Sequence, residues 1–198
     1  SEQLKQAAAY YMQIQRANPG ALITFTGHSL GGGLAALMGV FFNKAALTFD
    51  QAPFSRSASL TRRDELYSYL KTLPGANYTD TELAALTGFT GLPSRAENVV
   101  GIIVQGEAIS SSLLLAPFSP IGTLAQVLTN GGVGNTSGMD LHSQALLTAF
   151  EQHDPFRAMT LKLTNLIKLI FDSNLYSFST GVGNTENRNF IEHLVRRQ

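Results

Sequence analysis

Cysteine is absent from the chain, which excludes disulfides, thiolate metal sites and a cysteine nucleophile. Tryptophan is absent as well. Charge is scarce: Asp, Glu, Lys and Arg make up 14% of the 198 residues, against about 25% in an ordinary soluble domain. That share is too low for a charge-rich disordered chain. The 14 basic and 14 acidic residues also cancel. No basic field exists to hold nucleic acid, so no nucleic-acid partner is expected. No apolar run approaches the ~18 residues of a membrane-spanning helix, and the run 34–42 gives way to Asn43 and Lys44. The first residues, Ser-Glu-Gln-Leu-Lys, carry neither a signal-peptide pattern nor an initiator Met. We therefore expect a mature or excised part of something longer.

The apolar content, 44%, and the length suit one domain with a real core. Residues 2–17 repeat Leu4, Ala7, Ala8, Tyr11 and Ile14 at helical spacing, and Asn18-Pro19-Gly20 stops the helix. Residues 21–26, Ala-Leu-Ile-Thr-Phe-Thr, read as a short buried strand. A Gly-rich turn and a small-residue helix to about Phe42 follow, and then a second buried strand over 45–49 ending at Asp50. Strand, helix and strand without polar alternation predict a βαβ unit in a parallel sheet. Residues 52–97 are more polar and read as an insertion with two helical pieces, one entered near Thr61 and Asp64, the other capped by Asp80. A third buried strand is expected over 99–105, followed by Gly106 and Glu107. Beyond it come an apolar, Ser- and Pro-punctuated stretch (109–128), a Gly-rich loop (130–138), a helix opened by His142, and an apolar-faced helix over 156–171.

Gly27-His28-Ser29-Leu30-Gly31 fits G-x-S-x-G, placed between a strand and a helix as that motif requires. A serine on so tight a turn stands above the sheet. Side chains at Gly27 and Gly31 would be expected to collide with neighbouring strands. The Leu30 amide, at the helix N-terminus, can point at a developing oxyanion. The plainer alternative is a Gly-rich turn with a capping serine.

The stretch 23–37, Ile-Thr-Phe-Thr-Gly-His-Ser-Leu-Gly-Gly-Gly-Leu-Ala-Ala-Leu, resembles the nucleophile region of class 3 lipases, in the α/β-hydrolase superfamily. Leu47-Thr48-Phe49-Asp50-Gln51-Ala52-Pro53 resembles the strand that follows there, with Gln-Ala-Pro-Phe where those lipases carry a Gly-Pro-Arg-Val-Gly-Asn-like string. The detailed resemblance covers residues 20–54.

A serine nucleophile needs a base and an orienting acid. Of the four histidines, His28 adjoins the serine and is expected to pack. His142 follows a Gly-rich loop late in the chain, as the order Ser, acid, His requires. His153 and His193 read as structural and exposed. Glu107, just after the third strand, stands where the resemblance puts the acid, although Asp is more usual there. Asp50, at the end of the second strand, is the alternative, and Asp140 a third choice. Metal-ligand spacings and a P-loop are missing, so no metal or other cofactor is expected.

The expectation is thus an α/β-hydrolase-type parallel sheet with flanking helices and cap-like insertions, a single catalytic domain over 1–198. The implied reaction is hydrolysis of a carboxylic ester, most of all a lipid, by Ser29, His142 and Glu107 (or Asp50), with Leu30 in the oxyanion site. Residues 52–97 and 109–128 are expected to cap the site, and contact with a lipid interface would be transient. Only three strands are evident, so the edge beside the nucleophile strand is expected to pair with an upstream segment or another chain. The rival is a non-catalytic, hydrolase-like module of a large secreted bacterial protein. A secreted, extracellular bacterial location is expected in either case.

Overall fold

A computed structural model describes residues 1–104 and 119–128. Contacts divide the chain into two compact units: Ser1–Ile102 with Leu115–Ala125, and Ile103–Leu114 with Gln126–Gln198. The first unit contains nearly all the described residues.

Helix α1 (Glu2–Ala17) buries Leu4, Ala8, Tyr11 and Met12, one stripe at helical spacing. Asn18 ends it, and its side-chain amide donates to the Ile14 carbonyl. Strand β1 (Phe25–His28) leads into helix α2 (Leu30–Phe42), and strand β2 (Ala46–Phe49) follows. β1 starts four residues later than the apolar run 21–26 suggests. The reason is the neighbour: β2 begins at Ala46, directly opposite Phe25, so residues 21–24 have no strand on that side to pair with. Leu22 is accordingly 94% exposed. The ladder instead runs on through Gly27 and His28, opposite Thr48 and Phe49.

Strand β3 (Val99–Val104) pairs in parallel with β2, and β4 (Thr123–Leu128) completes a four-stranded sheet in the order β1-β2-β3-β4. β4 lies inside the stretch 109–128 that was expected to cap the site, and its last six residues are a strand of the sheet. β1, the strand leading to Ser29, is an open edge of this sheet among the described residues. Architecture and order are those of a parallel sheet flanked by helices, an α/β-hydrolase-type core.

α2 is buried around almost its whole circumference, from Gly32 to Phe42, because it lies between the sheet and other helices. The Tyr11 ring sits 5.2 Å from Phe25 and 4.6 Å from Phe42, joining α1, β1 and α2. Fully burying side chains of this size contributes about 1.5–3 kcal/mol each. The other sheet face is barer: Leu47 is 37% and Val100 44% exposed, side by side in register.

The insertion forms helix α3 (Leu60–Thr72) and the short helix α4 (Ala84–Thr87), with single 3₁₀ turns at Ser55–Ser57, Leu92–Ser94 and Ala96–Asn98. Ser59, not Thr61, caps α3: its hydroxyl accepts from the Arg62 amide. Asp80 caps nothing here. It accepts from the Tyr67 hydroxyl and from Lys71 Nζ, while Thr79 and Glu82 exchange side-chain and backbone hydrogen bonds. α3 lies on α1, and α4 lies on α2, so they thicken the helical layer. Their apolar residues Leu66, Leu70, Leu83 and Leu86 join the same core as α1 and α2.

Candidate active site

Ser29 is the junction of β1 and α2, at φ 56° and ψ −124°. A non-glycine residue held at positive φ costs on the order of 1–3 kcal/mol and persists only where its surroundings fix it. The fixing groups are visible. The Ser29 amide donates to the Phe49 carbonyl at 3.0 Å, and the Ser29 carbonyl accepts from the amides of Gly33 (3.0 Å) and Ala52 (2.9 Å). β2 and the turn after it therefore hold the serine backbone from both sides.

Glycine is required here, though not where the motif alone suggests. A Cβ on Gly27 would run into the Gly31 carbonyl, within the elbow itself rather than in a neighbouring strand. A Cβ on Gly31 meets no atom within 4 Å, which corrects the expected collision there. The crowded positions are Gly32, 3.0 Å from the Gly27 carbonyl and 3.1 Å from Gln51 Cα, and Gly33, 2.8 Å from the Phe54 ring. Close passage of the 51–54 turn over the first turn of α2 is thus what demands small residues.

Leu30 opens α2 with its side chain 64% exposed. Its amide is one of the first-turn donors that a helix leaves without an intrahelical acceptor. Asp50 ends β2, with its side chain wholly buried, φ 41°, and its amide donating to the Ile102 carbonyl at 2.8 Å. Asp50 Oδ2 lies 3.8 Å from His28 Nε2, an electrostatic contact longer than a hydrogen bond. His28 was expected only to pack. Its 19% exposed side chain instead faces a buried carboxylate. The signal was available in the pairing: strands ending together put Gly-His-Ser beside Phe-Asp.

Gln51 is a second residue whose role the sequence hid. Buried to 2% exposure, its amide donates to Thr48 Oγ1 and to the Ile121 carbonyl, both at 2.9 Å, and accepts from the Ile121 amide at 3.1 Å. It pairs with Ile121 as a stretch of backbone would, and so ties the turn after β2 to the entrance of β4. Ser55 and Ser119 join the same two segments through their hydroxyls at 2.9 Å.

The structure thus brings together Ser29, Leu30, Asp50 and His28 at the C-terminal ends of β1 and β2, where parallel sheets gather functional groups. Glu107, His142, Asp140, His153 and His193 lie outside the described residues. Among the described residues no cluster of three or more His, Asp or Glu side chains could hold a metal ion.

Residues 4–58 match the family model of lipase (class 3), in the α/β-hydrolase superfamily. The match runs from α1 through the elbow and β2 to the turn after it, and covers that N-terminal part of the chain. No curated protein matches the sequence. What family likeness and geometry have in common is the elbow: a lipase-type core with a buried Asp beside a histidine, next to a strained serine.

Proposed function

We propose that the chain is a serine hydrolase of carboxylic esters, with lipid esters as the favoured substrates. One observation carries the reading: Ser29 is held at positive φ between a parallel strand and a buried helix, inside the segment that matches the lipase family. Ser29 Oγ attacks the ester carbonyl and His142 takes its proton. The Leu30 amide stabilises the oxyanion, and His142 then protonates the leaving alcohol. Water, deprotonated by the same histidine, releases the acid from the acyl-enzyme. Glu107 orients His142, with Asp50 the alternative acid. The exposed Leu30 side chain, next to the serine, suits an apolar acyl group more than a polar one.

Hydrolysis of p-nitrophenyl esters of graded acyl length tests the reading. Ser29→Ala and His142→Ala should each remove on the order of 10⁴–10⁶-fold of the activity, by analogy with other serine hydrolases. Glu107→Gln should cost about 10²–10⁴-fold. A crippling Asp50→Asn beside a nearly silent Glu107→Gln would move the acid to Asp50. Full activity in Ser29→Ala would end the proposal.

A further inference from the structure

The geometry points to His28 and Asp50 as a positioning pair that fixes the conformation of Ser29. This inference rests on the reading of Ser29 as nucleophile. Four links close a ring around the serine. His28 is bonded to Ser29. The Ser29 amide donates to the Phe49 carbonyl at 3.0 Å. Phe49 is bonded to Asp50. Asp50 Oδ2 returns to His28 Nε2 at 3.8 Å. Ser29 and Asp50, the two residues at which the strand ends turn away from the sheet, both hold positive φ without being glycine, at 56° and 41°.

A strained turn relaxes unless neighbours over-determine it. Backbone hydrogen bonds fix the Ser29 amide and carbonyl. The His28–Asp50 contact, an ion pair when the imidazole is protonated, spans the two strand ends, one residue before the serine and one residue after its acceptor. The Asp50 side chain has no exposure, so with the imidazole protonated the attraction between them acts in a medium that screens it little. The Asp50 amide, held by the Ile102 carbonyl at 2.8 Å, anchors the ring to β3. His28 and Asp50 therefore act on chemistry through the placement of Ser29 Oγ.

The test uses the full chain with His28→Gln, Asp50→Asn and the double variant. Two quantities are read: the rate constant for fluorophosphonate modification of Ser29, separated from probe affinity, and hydrogen exchange at the Ser29 amide by NMR. The expected result is a fall in the modification rate constant on the order of 10²-fold in either single variant, with probe affinity unchanged. The double variant should be hardly worse than the singles, because both break one link. Ser29 amide exchange should quicken by roughly tenfold while amides of α1 keep their protection. If exchange at Ser29 is unchanged in both single variants, the pair does not position the serine. If Asp50→Asn abolishes modification while His28→Gln leaves rate and exchange intact, Asp50 acts on the base and the ring is overturned. If wild-type Ser29 takes no probe at all, the hydrolase reading fails, and the exchange measurement still decides the pair.

Discussion

The two ends of α2 are built for opposite purposes. At the N-terminal end the capping residue is Ser29, strained, with no side-chain cap hydrogen bond. The helix starts with an exposed leucine and three glycines. At the C-terminal end the carbonyls of Gly39, Val40 and Phe41 are bound. Asn43 turns the chain in the left-handed region, at φ 54° and ψ 51°, and accepts from the Asn98 amide at 2.9 Å. Arg95 reaches in from the insertion, and its guanidinium donates to the carbonyls of Val40, Phe41 and Ala85 at 2.8–3.0 Å. A cation on the last carbonyls of a helix meets the negative end of its dipole. Arg95 is only 9% exposed, and burial pulls its guanidinium below the ordinary value. The buried cation thus holds the end far from the serine, and the strained junction lies at the end where Ser29 is proposed to react.

Substitutions at the two ends should separate activity from stability. The largest effect is at the open end: Ser29→Ala should abolish ester turnover while the thermal midpoint stays within about 3 °C, because the lost hydroxyl caps no helix donor. A large loss of stability in Ser29→Ala would erase the contrast. Arg95→Met should do the reverse. It leaves three helix-end carbonyls without their charged donor, at about 2–4 kcal/mol, or roughly 5–15 °C in a chain of this size. Activity per folded molecule should not change. Urea unfolding followed by circular dichroism reads the first quantity, and active-site titration the second.

A finer contrast lies within the glycines. Gly33→Ala puts a Cβ 2.8 Å from the Phe54 ring and 2.9 Å from the Ala52 carbonyl, and should cost about 1–3 kcal/mol. Gly31→Ala enters open space in a helix and should be neutral or stabilise by up to about 1 kcal/mol. Equal losses at the two positions would mean that the 51–54 turn does not press on α2 as described.

The smallest effect concerns the contact between α1 and the insertion. Hydrogen bonds from Arg16, and then from the Thr79 amide, hold the Glu82 carboxyl down to about 2. A carboxyl lowered on folding contributes fully above its unfolded value, near 4.5, and the contribution is lost as pH falls through about 2. Glu82→Gln should therefore flatten the acid limb of stability between those two values by lowering stability near pH 7 to a small extent, since the pair is partly solvated, and should converge with the parent chain as pH falls to about 2. An unchanged acid limb would mean that the pair does not tie α1 to the insertion in solution.

The elbow was legible because its chemistry is local: an apolar run, Gly-x-Ser-x-Gly and a small-residue helix need no distant partner to be recognised. β2 and β3 were legible for the same reason, as short apolar runs bounded by turn residues. The start of β1 was not, because Ala-Leu-Ile-Thr has strand propensity but no neighbouring strand at that height. β4 was hidden among Ser and Pro residues in an apolar stretch that suits a lid as well as a sheet. The sealing of α2 was beyond reach, since Arg95 sits in a polar segment and touches helix carbonyls 54 and 55 residues away. Gln51 and His28 were missed alike: both act across strand ends, and only register shows who faces whom.

The central claim is that Ser29 is a reactive nucleophile. Its most direct test is modification of the native chain with a fluorophosphonate, followed by tryptic digestion and tandem mass spectrometry. Ser29 lies in the peptide between Arg16 and Lys44. The expected result is one adduct per chain, located on Ser29, and absent after heat denaturation or in His142→Ala. A folded protein that takes no adduct, or takes it on another residue, would contradict the claim.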